Sequence, residues 1–249
     1  MTSPRIRAAA RLAVLPAAVV LGAASLGCGL IQNVVDTANT LSEFSDRLGR
    51  SAELTYTAEY KVAEGPNVTL VQQPPNAALF AGKERMIFTA DSMTVCDAKE
   101  CQRAPLAAGA GIAAADAGLI AGVAGPGFVT PELALGLVAA AALVPGTDVD
   151  TSEREFAGQD ALCADVTGVA DGMAQLEEDA DDEATPTDAI QDFSVCVTED
   201  GVLAAFTGTT SAGEKAAIEL IDFDDSANEA AFATPKDVEV VDVSQLLAN

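Results

Sequence analysis

Histidine and tryptophan are absent from the 249 residues, and 13 lysines and arginines stand against 38 acids. Without histidine, the usual serine triads, the commonest general base and most zinc sites have no member to build from. A phosphate-cradling loop is missing too, because the glycines of 109–127 lie in Ala-rich sequence with no lysine after them. Paired carboxylates abound, but so acidic a chain places them by chance, and no stretch marks a glycosidase-like pair. Enzyme chemistry therefore has little foothold. No cofactor and no metal is expected, and the chain reads as a binding module. The shortage of basic residues also makes nucleic acid and anionic headgroups poor partners, since both are repelled by an acidic surface.

Three of the few arginines, Arg5, Arg7 and Arg11, open the chain ahead of an apolar run from Leu12 to Leu21 and small residues up to Gly27. Charged, apolar and small-residue regions in that order predict a secretory signal over 1–27. It ends in Ser25-Leu26-Gly27-Cys28, which resembles a bacterial lipobox with Ser25 in a position where Leu is usual. That resemblance implies a diacylglyceryl thioether on Cys28 and anchorage at the extracytoplasmic face of the cell membrane. Lipidation also resolves the odd count of five cysteines in an exported chain. Two or three acyl chains meet the requirement for stable anchoring, at about 0.8 kcal/mol per buried methylene. Removing 27 of 249 residues leaves 222, one large domain over 28–249, with 10 basic (13 − 3) against 38 acidic residues, a net charge of −28. At 49% hydrophobic the chain still folds, and its acids form a solvating shell.

No basic side chain occurs between Arg103 and Arg154, and up to Gly146 the only acids of this stretch are Asp116 and Glu132. Pro126, Gly127 and Pro131 divide it into two Ala- and Leu-rich arms, 105–124 and 131–144, both predicted helical. Pro131-Glu132 makes a good helix start with Thr130 as its cap. A membrane span is disfavoured, because it needs about 20 uninterrupted apolar residues and Asp116 interrupts the longer arm. Two readings stand: plain core, or a wall of a lipid-sized cavity. In the second, Leu119, Ile120, Val123, Leu133, Leu137 and Val138 are the candidates for acyl contact.

Around this stretch the patterning is helix then strand. Leu30, Val34, Ala38, Leu41, Phe44 and Leu48 recur at helical spacing up to Gly49. Residues 54–62 alternate as a half-buried strand, Gly65-Pro66-Asn67 turns the chain, and Pro74-Pro75 marks an edge or bend. Further strands are expected at 68–72, 77–81, 84–89, 92–97, 151–157, 161–168, 193–198, 202–210, 215–223 and 238–242. Cys96 and Cys101 flank a four-residue hairpin loop, within disulfide reach. A metal site is the weaker alternative without histidine or a second close cysteine pair. Cys163 and Cys196 fall in strands and pair across the acidic loop 171–190. That loop lacks the glycine and spacing of an EF-hand and is expected to be solvated and mobile.

This order of elements resembles the LolA-like superfamily: lipoprotein carriers, RseB-type envelope sensors and LppX/LprG-type actinobacterial lipoproteins. Its most specific part is the ending Phe232-x-x-Pro235-x-x-Val238-x-Val240-Val241-Asp242, with Gln73-Pro74-Pro75-Asn76 similar as well. The resemblance implies an α+β fold, a half-open antiparallel β-barrel with helices packed against its concave face around an apolar cavity. It implies a lipid or acyl chain as ligand and a role in lipid or lipoprotein transport. Burying a sixteen-carbon chain is worth up to roughly 12 kcal/mol before ordering costs. The alternative is a regulatory or structural envelope lipoprotein that binds a partner protein, its apolar hairpin only filling the core.

Overall fold

The computed structural model describes residues 28–106, 117–125, 127–144, 146–171, 190–210 and 215–243. The signal 1–27, half of the first apolar arm and nearly all of the acidic loop 171–190 therefore lie outside the described residues.

Twelve strands form one sheet. β1 (Tyr56–Val62), β2 (Val68–Gln73), β3 (Asn76–Ala81), β4 (Glu84–Phe88), β5 (Ser92–Cys96) and β6 (Glu100–Pro105) make a first antiparallel meander. β7 (Asp148–Phe156), β8 (Gln159–Thr167), β9 (Ile190–Thr198), β10 (Leu203–Thr210) and β11 (Lys215–Asp224) make a second. The two meet where β1 pairs antiparallel with β11, Thr57 opposite Asp224. After β11 the chain passes through a single 3-10 turn, Glu229–Phe232, against β3 and β4. It ends in β12 (Glu239–Asp242), which runs parallel to the outer edge of β6.

Alternation decides which face is which. Tyr56, Ala58, Tyr60 and Val62 of β1 point to one face with Leu70, Leu79, Met86, Phe88, Val166, Val195, Phe206 and Leu220, all nearly inaccessible. On the other face, Val71, Ala78, Ile87, Thr94 and Arg103 are paired strand to strand in one row. Arg103 ends that row by donating from Nε to Thr94 Oγ1 at 3.3 Å and from Nη2 to Thr234 Oγ1 at 3.0 Å. The segment between β11 and β12 is thereby tied across the first meander.

Helices are few. α1 (Cys28–Ser51) puts Phe44 and Leu48 into the core, and Gln72 Nε2 holds its end by donating to the carbonyls of Ser51 and Leu54. α2 (Ala117–Ala124) lies over β3 and β4. α3 (Pro131–Ala141) packs chiefly on α1. It begins as its sequence predicts: Pro131 fills the first position and Thr130 Oγ1 accepts from Leu133 N at 3.2 Å.

The expected half-open antiparallel barrel with helices against its concave face is not what forms. The sheet is open between β12 and β7, and mixed rather than antiparallel. The described helices make no layer of their own. One physical cause is visible in the strand order. The return of the chain over the outside of β3 and β4 brings β12 to β6 from the same end, so the edge is capped in parallel and never approaches β7.

Both disulfides form as expected. Cys96–Cys101 and Cys163–Cys196 each join directly opposed residues of neighbouring antiparallel strands.

Candidate functional site

The connection between α2 and α3 sets the site. Gly125 passes beside Glu64 and Gly65, and Gly127 passes over Lys215 and Ala216. At Gly127, φ is +85° and a β-carbon would sit 3.1 Å from the Lys215 carbonyl oxygen, so only glycine lets the chain cross the sheet this closely. Phe128 then drops onto Tyr60, edge to face with ring centroids 6.0 Å apart. Thr130 turns the chain into α3.

The six nominated contact residues divide. Ile120, Val123 and Val138 are buried in the main core, and Leu119 and Leu137 are half-buried against it. Leu133 is 40% exposed and does not join them. Leu119 and Val123 also line a groove of about 330 Å³ with Glu84, Val95, Cys96, Asp97, Glu100 and Gln102. Two depressions of about 370 Å³ lie elsewhere on the sheet, one bordered by Arg47, Arg154 and several acids, the other by Asp165, Asp192 and Lys215. Acids sit in both beside their few cations, which makes them poor seats for an apolar ligand. The groove beside α2 holds three acids as well, Glu84, Asp97 and Glu100, but one wall of it is apolar, made by Leu119 and Val123 of α2.

Along α3, Leu133, Gly136, Ala139 and Ala140 face outward, and Leu143 just beyond it is 82% exposed. No charged residue occurs between Glu132 and Asp148. In a chain otherwise dressed in carboxylates, this surface is bare of them.

Three enclosed polar atoms that sequence reading did not nominate lie on β1 and at the start of α3. Tyr56 and Tyr60, four residues apart on β1, are each 1% exposed. Among the described residues, neither hydroxyl has a hydrogen-bond partner, nor does the enclosed Oε2 of Glu132. Burial raises the Tyr56 pKa well above its ordinary value, and Tyr60 and then Glu132 add to the rise. Burial raises Tyr60 as well, with Glu132 the second cause. An enclosed polar atom without a partner costs about 1–3 kcal/mol, so each of the three is a feature to explain. Alternation alone places both tyrosines on the inward face; nothing local foretells the enclosed Oε2 of Glu132.

Among the described residues, no group of three or more Cys, Asp or Glu side chains is placed to hold a metal ion. No described helix is long and apolar enough to cross a membrane. No family model matches the chain, and no curated protein matches it. Among solved structures it is similar to an uncharacterized conserved protein from Thermus thermophilus. The identity is 11%, the match covers 82% of this chain and 99% of that one, and the TM-score is 0.47. A likeness of that extent says nothing of fold or role.

Proposed function

We propose that the chain is an extracytoplasmic lipoprotein, held to the membrane through Cys28, that binds an acyl chain or lipid along α2 and α3. The observation that carries this reading is the uncharged run 133–147 with Leu133 and Leu143 open to solvent, together with the groove wall that Leu119 and Val123 form on α2. Exposed apolar surface of this kind marks a place where something apolar binds. The likeness of 232–242 to the ending of LolA-like proteins points the same way, whereas the open mixed sheet does not. Binding needs no reaction, and we assign none. The experiment is mass spectrometry of the chain purified without its anchor. Co-eluting lipid is the expected result, and a lipid-free protein that binds no fluorescent fatty acid rejects the reading.

A second reading has its own support. Ile120, Val123 and Val138 are packed at 6%, 7% and 0% exposure, as in a plain core. The outer surface of α3 is then the seat of an envelope protein partner rather than of a lipid.

A further inference from the structure

On the outer face of the second meander the register sets two rows of mostly small side chains next to one another. Cys196, Ala205, Glu219 and Lys61 are opposed strand to strand across β9, β10, β11 and β1, and Ser194, Thr207 and Ala217 follow in the next row. The short side chains leave a trough. Phe156, at the end of β7, lines it and packs with Ala205 against Ala161, Cys163, Cys196 and Ala204. Arg154 lines it from β7 as well, and Lys61 from β1. The cleft so made has a volume of about 230 Å³ and shares no residue with the groove at Leu119 and Val123.

The charge of this cleft runs against that of the chain. Its lining holds two cations, Lys61 and Arg154, and one acid, Glu219. In the three clefts already described acids outnumber cations, by four to two, two to one and three to none. Neither cation is firmly engaged. Lys61 stands opposite Glu219 but has no ion pair among the described residues, and Arg154 meets Asp165 only at 3.6 Å, with both side chains about half-exposed. A pair that long and that exposed holds its partners weakly. At physiological salt, charges more than about 8 Å away are largely screened, so the balance within the cleft decides what binds there.

An anion with an apolar body answers this arrangement. Lys61 and Arg154 attract its charge, Ser194 and Thr207 each offer a hydroxyl proton, and Phe156, Ala205 and Ala217 receive the body. An amine would meet two cations for one acid, and an uncharged lipid would leave both cations unused. At about 230 Å³ the cleft lies below the roughly 300–1,000 Å³ of sites that hold drug-sized ligands, so the ligand is small. We propose that this cleft binds a small amphipathic carboxylate, such as a medium-chain fatty acid. It goes beyond the acyl-binding reading of α2 and α3 and does not rest on it, since the two places share no residue.

The test is titration calorimetry of the intact chain with octanoate, octanol and acetate. Octanoate is expected to bind about tenfold more tightly than octanol, the size of effect that one charge-assisted contact confers. Acetate, which has the charge without the chain, is expected to bind more weakly than octanoate. Lys61→Gln and Arg154→Gln should each weaken octanoate binding about tenfold and leave octanol unchanged. Both side chains are exposed, so the variants keep the fold, and thermal unfolding checks that they do. Glu219→Gln should strengthen octanoate binding, a gain that a general loss of packing does not produce. Equal binding of octanoate and octanol overturns the carboxylate site. Octanoate binding that neither cation variant weakens overturns it too, and seats the chain at α2 and α3 instead. Acetate bound as tightly as octanoate reduces the site to an unspecific anion contact. No binding of octanoate rejects the site outright, whatever the protein does with longer lipids.

Discussion

The two disulfides allow a controlled comparison of chain-closure effects. Cys96, Cys101, Cys163 and Cys196 are all buried, at 1%, 0%, 0% and 2% exposure, and each pair bridges opposed residues of adjacent antiparallel strands. Replacing either pair by alanines removes the same atoms from equally enclosed positions, so packing losses nearly cancel between the two variants. What differs is the loop each closes, at sequence separations of 33 for Cys163–Cys196 and 5 for Cys96–Cys101. The chain-entropy relation assigns about 3.7 kcal/mol to the longer loop and about 2.1 kcal/mol to the shorter. Cys163→Ala/Cys196→Ala should therefore cost about 1.6 kcal/mol more stability than Cys96→Ala/Cys101→Ala. Urea unfolding followed by far-ultraviolet circular dichroism measures both midpoints and slopes. Equal costs, or the reverse order, would refute the reasoning and locate the stabilisation in local packing instead.

At Gly201, φ is +102° and a β-carbon would collide with the Arg47 carbonyl of α1, so Gly201→Ala should lose about 3 kcal/mol, read as a lower urea midpoint. The chain's two tyrosines both have raised pKa values, chiefly through burial, so the neutral form is favoured on folding and stability is full below the unfolded value of 10.0. Stability should then fall as pH rises above that value, and tyrosinate absorbance should appear only together with unfolding. A titration at constant circular dichroism contradicts it. Asp97 is the acid-side counterpart: its carboxylate accepts from the amides of Glu100 and Lys99, which lowers its pKa from 3.8. Its contribution to the β5–β6 turn is present above that pH and lost as pH falls through the lowered value, and Asp97→Asn should abolish this part of the acid response. Val138→Trp should cost at least about 1–3 kcal/mol, because that side chain is fully enclosed, whereas Val123→Trp, beside the groove, should block fatty-acid binding at smaller cost. Cys28→Ala should free the protein from the membrane fraction, and a variant still bound at its normal mass rejects the anchor.

Much of this architecture is legible locally. Tyr56 to Val62 alternates cleanly enough to give both strand and inward face, and Thr130-Pro131-Glu132 announces α3 to the residue. Opposed cysteines foretell both bridges. Local signals fail where partners are distant. Val238 to Asp242 reads as a strand, but its direction is decided by Arg103 and Thr234 and by the crossing over β3 and β4. Gly49 reads as the end of α1, yet the helix continues to Ser51, where Gln72 receives its last carbonyls. The half-open barrel was implied by the resemblance in element order, and element order does not show that β12 joins β6 in parallel, far from β7. The enclosed, unpartnered oxygens of Tyr56, Tyr60 and Glu132 were hidden too, because enclosure of a side-chain atom is decided by the packing of distant elements.

The pairing of β1 with β11 has a consequence for how the protein is made. Thr57 must wait for Asp224, about 167 residues (224 − 57) further along the chain. During synthesis the first meander can complete itself while one flank of β1 still offers free amides and carbonyls to any passing strand. Such an edge invites wrong partners, and charge is a common defence. β1 carries it in Glu59 and Lys61, on the face away from the core. Each cysteine bridge, moreover, lies wholly inside its own meander. A chain cut between β6 and β7 would thus hold together by strand pairing and packing alone, as two separable pieces whose reassociation rate reports on closure of the seam.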